Sequence, residues 1–280
     1  MHRLFGLALL FVASAASAKS SNPAFLGVGM GDARVQIVPG SPPIVACVID
    51  TITKDSGAHV AGLRSSDIFV AIDGTSVPNC AALIVQIQAH ESGDTVKIEV
   101  RRNSVLTTIT AKLNSRADVL RQRVVGQPLP ITTLVRVDNE TTSDLASRGK
   151  TTIVGWFDQH NCIGCDTVFG SIEQWSRTKS TRASSISVVG ATAGNRSKSV
   201  PENVEALKQY QRAFDVPLLV ADQETFSALS ISDTDRIHFM VIDCRGIVQY
   251  AAPLAPDADD KTAVLDELYA AVEQTQRRVK

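Results

Sequence analysis

Residues 151–175 read TTIVGWFDQHNCIGCDTVFGSIEQW, and this stretch decides how the second half of the chain is read. Thr151 to Phe157 is apolar and β-branched, the composition of a buried strand. A polar turn, Asp158 to Asn161, follows it. Cys162 and Cys165 come next, with only Ile163 and Gly164 between them. Beyond them Val168, Ile172 and Trp175 recur at helical spacing, which predicts a helix with one buried stripe. The paired cysteines therefore stand where a central strand hands over to a helix. A helix N-terminus favours the thiolate of the leading cysteine, and the short gap lets the second close a ring on it.

Three chemistries suit such a pair. In a redox reading Cys162 is the exposed nucleophile and Cys165 resolves the mixed disulfide. In a metal reading His160, Cys162 and Cys165 offer two thiolates and an imidazole to zinc or copper. In the third reading the pair is a static disulfide. No organic cofactor is expected under any of them.

The rest of the second half alternates strands and helices. Ser185 to Gly190, Val216 to Ala221 and His238 to Asp243 read as strands. Glu202 to Phe214 and Thr262 to Arg277 read as helices with one apolar face. Thr142 to Arg148 reads as a turn or helical piece, and Glu224 to Leu229 as a short helix. Cys244-Arg245-Gly246 turns the chain back into Ile247 to Ala251. This order predicts a three-layer α/β domain with a mixed central sheet over about 123–280.

The first half differs. Phe25-Leu26-Gly27-Val28 opens it, short strands follow, and Asp73-Gly74 is a hairpin signal. A helix starts at Pro78 or Asn79 and runs to about His90. Many short strands with two short helices predict a small, partly open barrel over 24–114, with 115–122 as a linker.

The totals fit two domains: 280 residues, and a net charge of −1 that gives no basis for nucleic-acid binding. Met1-His2-Arg3, the apolar run Leu4 to Val12 and Ala16-Ser17-Ala18 form a leader pattern over 1–18. It predicts a soluble periplasmic or secreted protein with no membrane span. Five cysteines leave at least one without an internal partner, and Cys47 and Cys80 read as apolar fillers.

Two resemblances sharpen these expectations. Val48 to Ile52, Asp55 to Ile68 and Ile72 to Val77 resemble the core of a bacterial PDZ domain of the kind attached to periplasmic serine proteases. That resemblance makes Phe25, Leu26, Gly27 and Val28 a carboxylate-binding loop. It makes Cys80, Leu83, Ile84 and Ile87 the wall of a peptide groove, although the same residues also suit a plain core. The implied partner is another protein, held by its C-terminus or an exposed strand. The second half, through Gly126 to Pro130, Leu145 to Thr152, Val216 to Asp222 and Phe239 to Val248, resembles the thioredoxin-like exported thiol–disulfide oxidoreductases and peroxiredoxin-like proteins. That resemblance implies Cys162 and Cys165 as catalytic residues, with Ile237, where the family keeps a cis-proline, and His238 facing them, so that His238 would join His160, Cys162 and Cys165 in the metal reading. Trp156 stands where that family keeps a buried acid, so Asp158 or His160 would have to move the proton.

The expected protein is thus an exported thiol–disulfide oxidoreductase whose PDZ module recruits its partner. Its rivals are a non-catalytic scaffold with a degenerate thioredoxin-like domain and a periplasmic copper- or zinc-binding protein.

Overall fold

The computed structural model describes residues 22–36, 40–129, 134–138, 145–146, 150–158, 160–180, 185–193, 198–221, 225, 229 and 235–278. The leader at 1–18, most of Thr142 to Arg148 and most of Glu224 to Leu229 lie outside these residues. Among them no helix is long and apolar enough to cross a membrane.

The first half is an open antiparallel sheet. β2 (Val28–Val35), β3 (Ile44–Ile52), β4 (Ile68–Ile72), β6 (Thr95–Arg102) and β7 (Val105–Lys112) are neighbours in that order. β5 (Thr75–Ser76) pairs with β4 through the Asp73-Gly74 hairpin. β1 (Ala24–Phe25) pairs apart from this sheet, with β8 (Asn114–Ser115). β2 and β7 end the strand path, so no barrel closes. Inward residues of β3, β4 and β6, among them Ile49, Phe69 and Ile98, pack with Leu83 and Ile87 into one core. The last two come from α2 (Cys80–Gln88). A second helix, α1 (Gly57–Ala61), lies against β7. Ser66, which precedes Asp67 where the resembling family has glycine, adopts φ 70°. That left-handed conformation costs a side chain roughly 1–2 kcal/mol.

The presumed linker is a helix. α3 (Arg116–Val124) starts with a capping box in which Ser115 Oγ accepts the Asp118 N–H and the Asp118 carboxylate accepts the Ser115 N–H. Its buried Leu120 and Val124 belong to the core of the second half, and Arg121 donates to the Ala251 carbonyl at 2.9 Å. The capping box fixes where this helix starts.

The second half is a six-stranded mixed sheet. Its strands are β9 (Leu134–Arg136), β10 (Lys150–Phe157), β11 (Ser185–Ala193), β12 (Leu218–Ala221), β13 (Ile237–Ile242) and β14 (Val248–Leu254). They lie in the order β14-β13-β10-β11-β12-β9. The central three are parallel, and β13, β14 and β9 run antiparallel to their neighbours. Alternate residues of β10 face opposite sides. Ile153 and Phe157 pack with α4 (Cys165–Lys179), α5 (Val200–Gln211) and α6 (Lys261–Arg278), whereas Val154 and Trp156 pack with α3. Gly155 leaves room for α4: a Cβ there would stand 2.5 Å from the Phe169 ring.

Candidate functional site

The loop between β1 and β2 is built by its neighbours. Gly27 has φ 90°, and a Cβ on it would lie 2.1 Å from Ser56 Cβ, so only glycine fits. Ser56 is fully buried. Its hydroxyl donates to the Thr53 carbonyl at 2.7 Å, lies 3.4 Å from the Gly27 carbonyl and, as the N-cap of α1, accepts the His59 N–H. The Ala58 N–H donates to the Leu26 carbonyl at 2.8 Å, and the Thr53 N–H donates to the Gly27 carbonyl at 2.9 Å. The loop's carbonyls are thus held by α1 and the residues before it. The N–H groups of Leu26 and Gly27 donate to no acceptor among the described residues. Both residues are buried, so these are donors withdrawn from water and left without a partner.

Next to this loop runs β2, whose outer edge is unpaired among the described residues. Val28 and Met30 of β2 are half-buried against the core that α2 covers. On α2 the Asn79 side chain caps the first turn by accepting the Ala82 N–H at 2.8 Å. Leu83 and Ile87 are core residues, at 1% and 8% exposure, while Ile84 is 45% exposed. The eight expected groove residues therefore divide. Leu26, Gly27, Leu83 and Ile87 are buried, Phe25, Val28 and Cys80 are half-buried, and Ile84 is exposed. Phe25 also carries the Arg116 guanidinium over its ring, 4.3 Å from the centroid.

Two residues here, Cys47 and Asp32, were not singled out from sequence as part of the site. Cys47 forms a disulfide with Cys80, where both were expected as apolar fillers and Cys80 also as groove wall. Asp32 accepts the Cys80 backbone N–H at 2.8 Å. Nothing local in the sequence couples positions 47 and 80, since the link comes from α2 folding over β3. The one available signal was a leader pattern together with cysteines left over after the close pair.

In the second half Cys162 and Cys165 are disulfide-bonded, with Cα atoms 5.6 Å apart. Cys165 is 1% exposed, Cys162 is half-buried against the same core, and Ile163 between them is 92% exposed. Neither expected proton carrier is directed at the sulfurs. The Asp158 carboxylate accepts from the His160 N–H at 2.8 Å and the Asn161 side chain at 2.9 Å, and His160 Nδ1 lies 3.3 Å from the Tyr210 hydroxyl. Ile237 is buried in the same core as Cys165 and packs on Gly155. His238 points the other way. It is directly opposite Trp156 in the β10–β13 register and so shares that residue's side of the sheet, away from the cysteines. Burial, then Arg116 and Arg236, push its pKa down to about 3, and its Nε2 has no hydrogen-bond partner. The expected metal set of His160, Cys162, Cys165 and His238 does not assemble. Among the described residues the group with ligand atoms within 4.8 Å of one another is Asp32, Cys47 and Cys80, whose two sulfurs are bonded to each other.

Residues 24–113 match the family model of the PDZ domain. Serine protease Do-like HtrA of Lactobacillus helveticus is 32% identical over 62 residues, which is 22% of this chain and 15% of that protein. The HtrA-type protease AlgW, solved with a decapeptide, is 22% identical over 34% of this chain and 30% of its own, with a TM-score of 0.30. A putative protein disulfide isomerase from Bacteroides thetaiotaomicron is 19% identical over 53% of this chain and 90% of its own, with a TM-score of 0.38. At these TM-scores neither structure carries a functional argument.

These matches correct the function expected from sequence. The family model and the curated relative lead to the PDZ domain and to HtrA-type serine proteases, not to thiol–disulfide oxidoreductases. The assignment of the second half as a thioredoxin-like oxidoreductase does not stand. Nor do the degenerate-thioredoxin scaffold and the copper or zinc alternatives that depended on it. The buried resolving sulfur, the engaged Asp158 and the averted His238 agree with that correction. Proteolysis, in turn, is an activity of those relatives, of which the chain spans a small part. Among the described residues the rings of His59, His90 and His160 meet a backbone N–H, two carboxylates and a tyrosine hydroxyl, not a serine hydroxyl, the pairing that a serine nucleophile needs.

Proposed function

We propose that residues 24–113 dock a partner protein by its carboxyl terminus, which adds as a strand to the open edge of β2 while its carboxylate takes the Leu26 and Gly27 N–H groups. The observation that carries this reading is the pair of buried, unpartnered donors beside an unpaired strand edge. Such donors gain most from a charged acceptor, because hydrogen bonds to an ionised group are roughly twice as strong as neutral ones. Strand addition supplies the rest of the affinity through the backbone, and the apolar β2–α2 surface selects the last side chain. Val28, Met30, Ile84 and the half-buried part of Cys80 are the surfaces it meets. The leader pattern at 1–18 and the two disulfides support export to an oxidising compartment, where the partner would be met.

The test is a titration of the full chain with paired peptides that end in valine as the free acid or as the amide. Amidation removes the charge and leaves the strand. Binding of the free acid with at least a tenfold loss on amidation is expected, about 1.4 kcal/mol. Equal binding of the two forms would overturn the reading.

A further inference from the structure

The Cys47–Cys80 bond has one end in the core and the other at the surface of the first half. Cys47, within β3, is fully buried. Cys80, the first residue of α2, is half-buried. Further along α2, Leu83 and Ile87 are core residues, and the Gln86 side chain donates to the Ser76 carbonyl at 2.9 Å. Ahead of α2 the chain is pinned at Val77, whose N–H donates to the Val70 carbonyl at 2.9 Å. Between these pins lie residues 78–82. Among the described residues, the disulfide and one hydrogen bond, from the Cys80 N–H to the exposed Asp32 carboxylate at 2.8 Å, tie this segment to the sheet. The Asn79 cap closes on the Ala82 N–H, within the same turn.

Two sulfurs that are not bonded need van der Waals room, and a close-packed core has none to give. Cys47 is sealed in that core, and the Met30 sulfur already lies 3.5 Å from its sulfur. If the bond opens, the room has to come from Cys80, and so from the first turn of α2.

We propose that the Cys47–Cys80 disulfide is a redox lock on the docking surface: closed, it holds the first turn of α2 in place for a guest tail, and opened by an external dithiol it releases that turn and weakens the hold. This inference rests on the carboxylate reading above and adds a control to it. The step is thiol–disulfide exchange. A thiolate of the dithiol attacks the Cys80 sulfur, the one within reach. The Cys47–Cys80 bond breaks, and Cys47 leaves as a thiolate that takes up a proton. The dithiol's second thiolate attacks its own partner sulfur in the mixed disulfide, and Cys80 leaves and is protonated in turn. The protein pair has gained two electrons and two protons, and the dithiol has become a ring disulfide. With the pair open, a guest has to order the wall as it binds; with the pair closed, the wall is ordered beforehand. An oxidising compartment keeps the binding state. Linkage requires the converse by the same factor: a bound tail makes the pair harder to reduce.

The experiment titrates the full chain with an octapeptide ending in valine, as free acid and as amide, before and after reduction by dithiothreitol. The Cys162→Ala/Cys165→Ala variant is titrated beside it, so that a single disulfide can open. In both proteins the free acid is expected to bind the oxidised form at least fivefold tighter than the reduced form. Cys47→Ala/Cys80→Ala is expected to bind as the reduced form does, with or without dithiothreitol. A second measurement needs no variant: the ratio of reduced to oxidised dithiothreitol that opens half of the Cys47–Cys80 pairs, read by alkylation and mass spectrometry, should rise at least fivefold under saturating free acid. Affinities within fivefold in the two redox states, with the free acid still preferred over the amide, would overturn the lock and leave the carboxylate reading intact. A loss on reduction that tracks a loss of far-ultraviolet circular dichroism would also overturn it, since the whole fold and not one turn would have given way. If acid and amide bind the oxidised chain equally, or neither binds, the carboxylate reading falls and the lock with it.

Discussion

The two halves of the molecule treat their buried polar groups in opposite ways. In the first, Ser56 is fully buried and engaged on every side, and its work is to hold a loop whose own donors remain free. In the second, His238 is 5% exposed, and its Nε2 is an orphan on the side of the sheet that Trp156 shares. The disulfides differ in the same sense. Cys47–Cys80 joins a strand and a helix 33 residues apart at the groove, whereas Cys162–Cys165 closes a loop of three at the head of α4. Free donors beside an open edge mark a surface made for a partner. Sealed polar groups mark a body that carries it.

The largest test of this contrast is to remove each disulfide in turn. Chain-entropy arguments give about 4 kcal/mol for a crosslink of the Cys47–Cys80 span and about 2 kcal/mol for the short Cys162–Cys165 loop. Urea unfolding of Cys47→Ala/Cys80→Ala and of Cys162→Ala/Cys165→Ala, both without reductant, should show that order. A reversal would mean that the second half depends on its cysteines more than its architecture suggests.

Next comes an acid effect confined to the second half, which between pH 6 and 4 stays below about 3 kcal/mol. His238 has a folded pKa of about 3, below its ordinary value, so the unfolded chain takes up a proton that the folded chain refuses. Its contribution is present in full above the ordinary histidine range and is lost as pH falls through the window from about 6.5 to about 3. The loss approaches 1.4 kcal/mol per pH unit within that window. His238→Leu should flatten the dependence of the denaturation midpoint on pH between 6 and 4. An unchanged slope would show that the ring is protonated in the folded protein.

The smallest effect sharpens the first half. Ser56→Ala removes the cap of α1 and the tie to the loop, for about 1 kcal/mol of stability at any pH. It should also weaken free-acid peptides more than their amides, because it loosens only the donors. An equal loss for both forms would detach Ser56 from carboxylate recognition.

What could be read from the sequence was local. The α1 turn is set by neighbours in the chain, and β10 with its following helix announced itself through β-branched and periodic residues. What could not be read was contact across the fold. The Cys47–Cys80 bond and the Asp32 tie arise only when α2 lies over β3. The side of the sheet that His238 takes follows from its register with Trp156 rather than from its place after Ile237. The cysteine pair misled for the same reason: a four-residue motif specifies a turn, while its chemistry depends on what the distant strands bring to it.

α3 has a consequence for mechanics. Its cap belongs to the strand pair that starts the first half, and its apolar face and Arg121 are fastened to the second. A stiff strut therefore takes the place of a tether. A load applied to the first half would pass through α3 to β14.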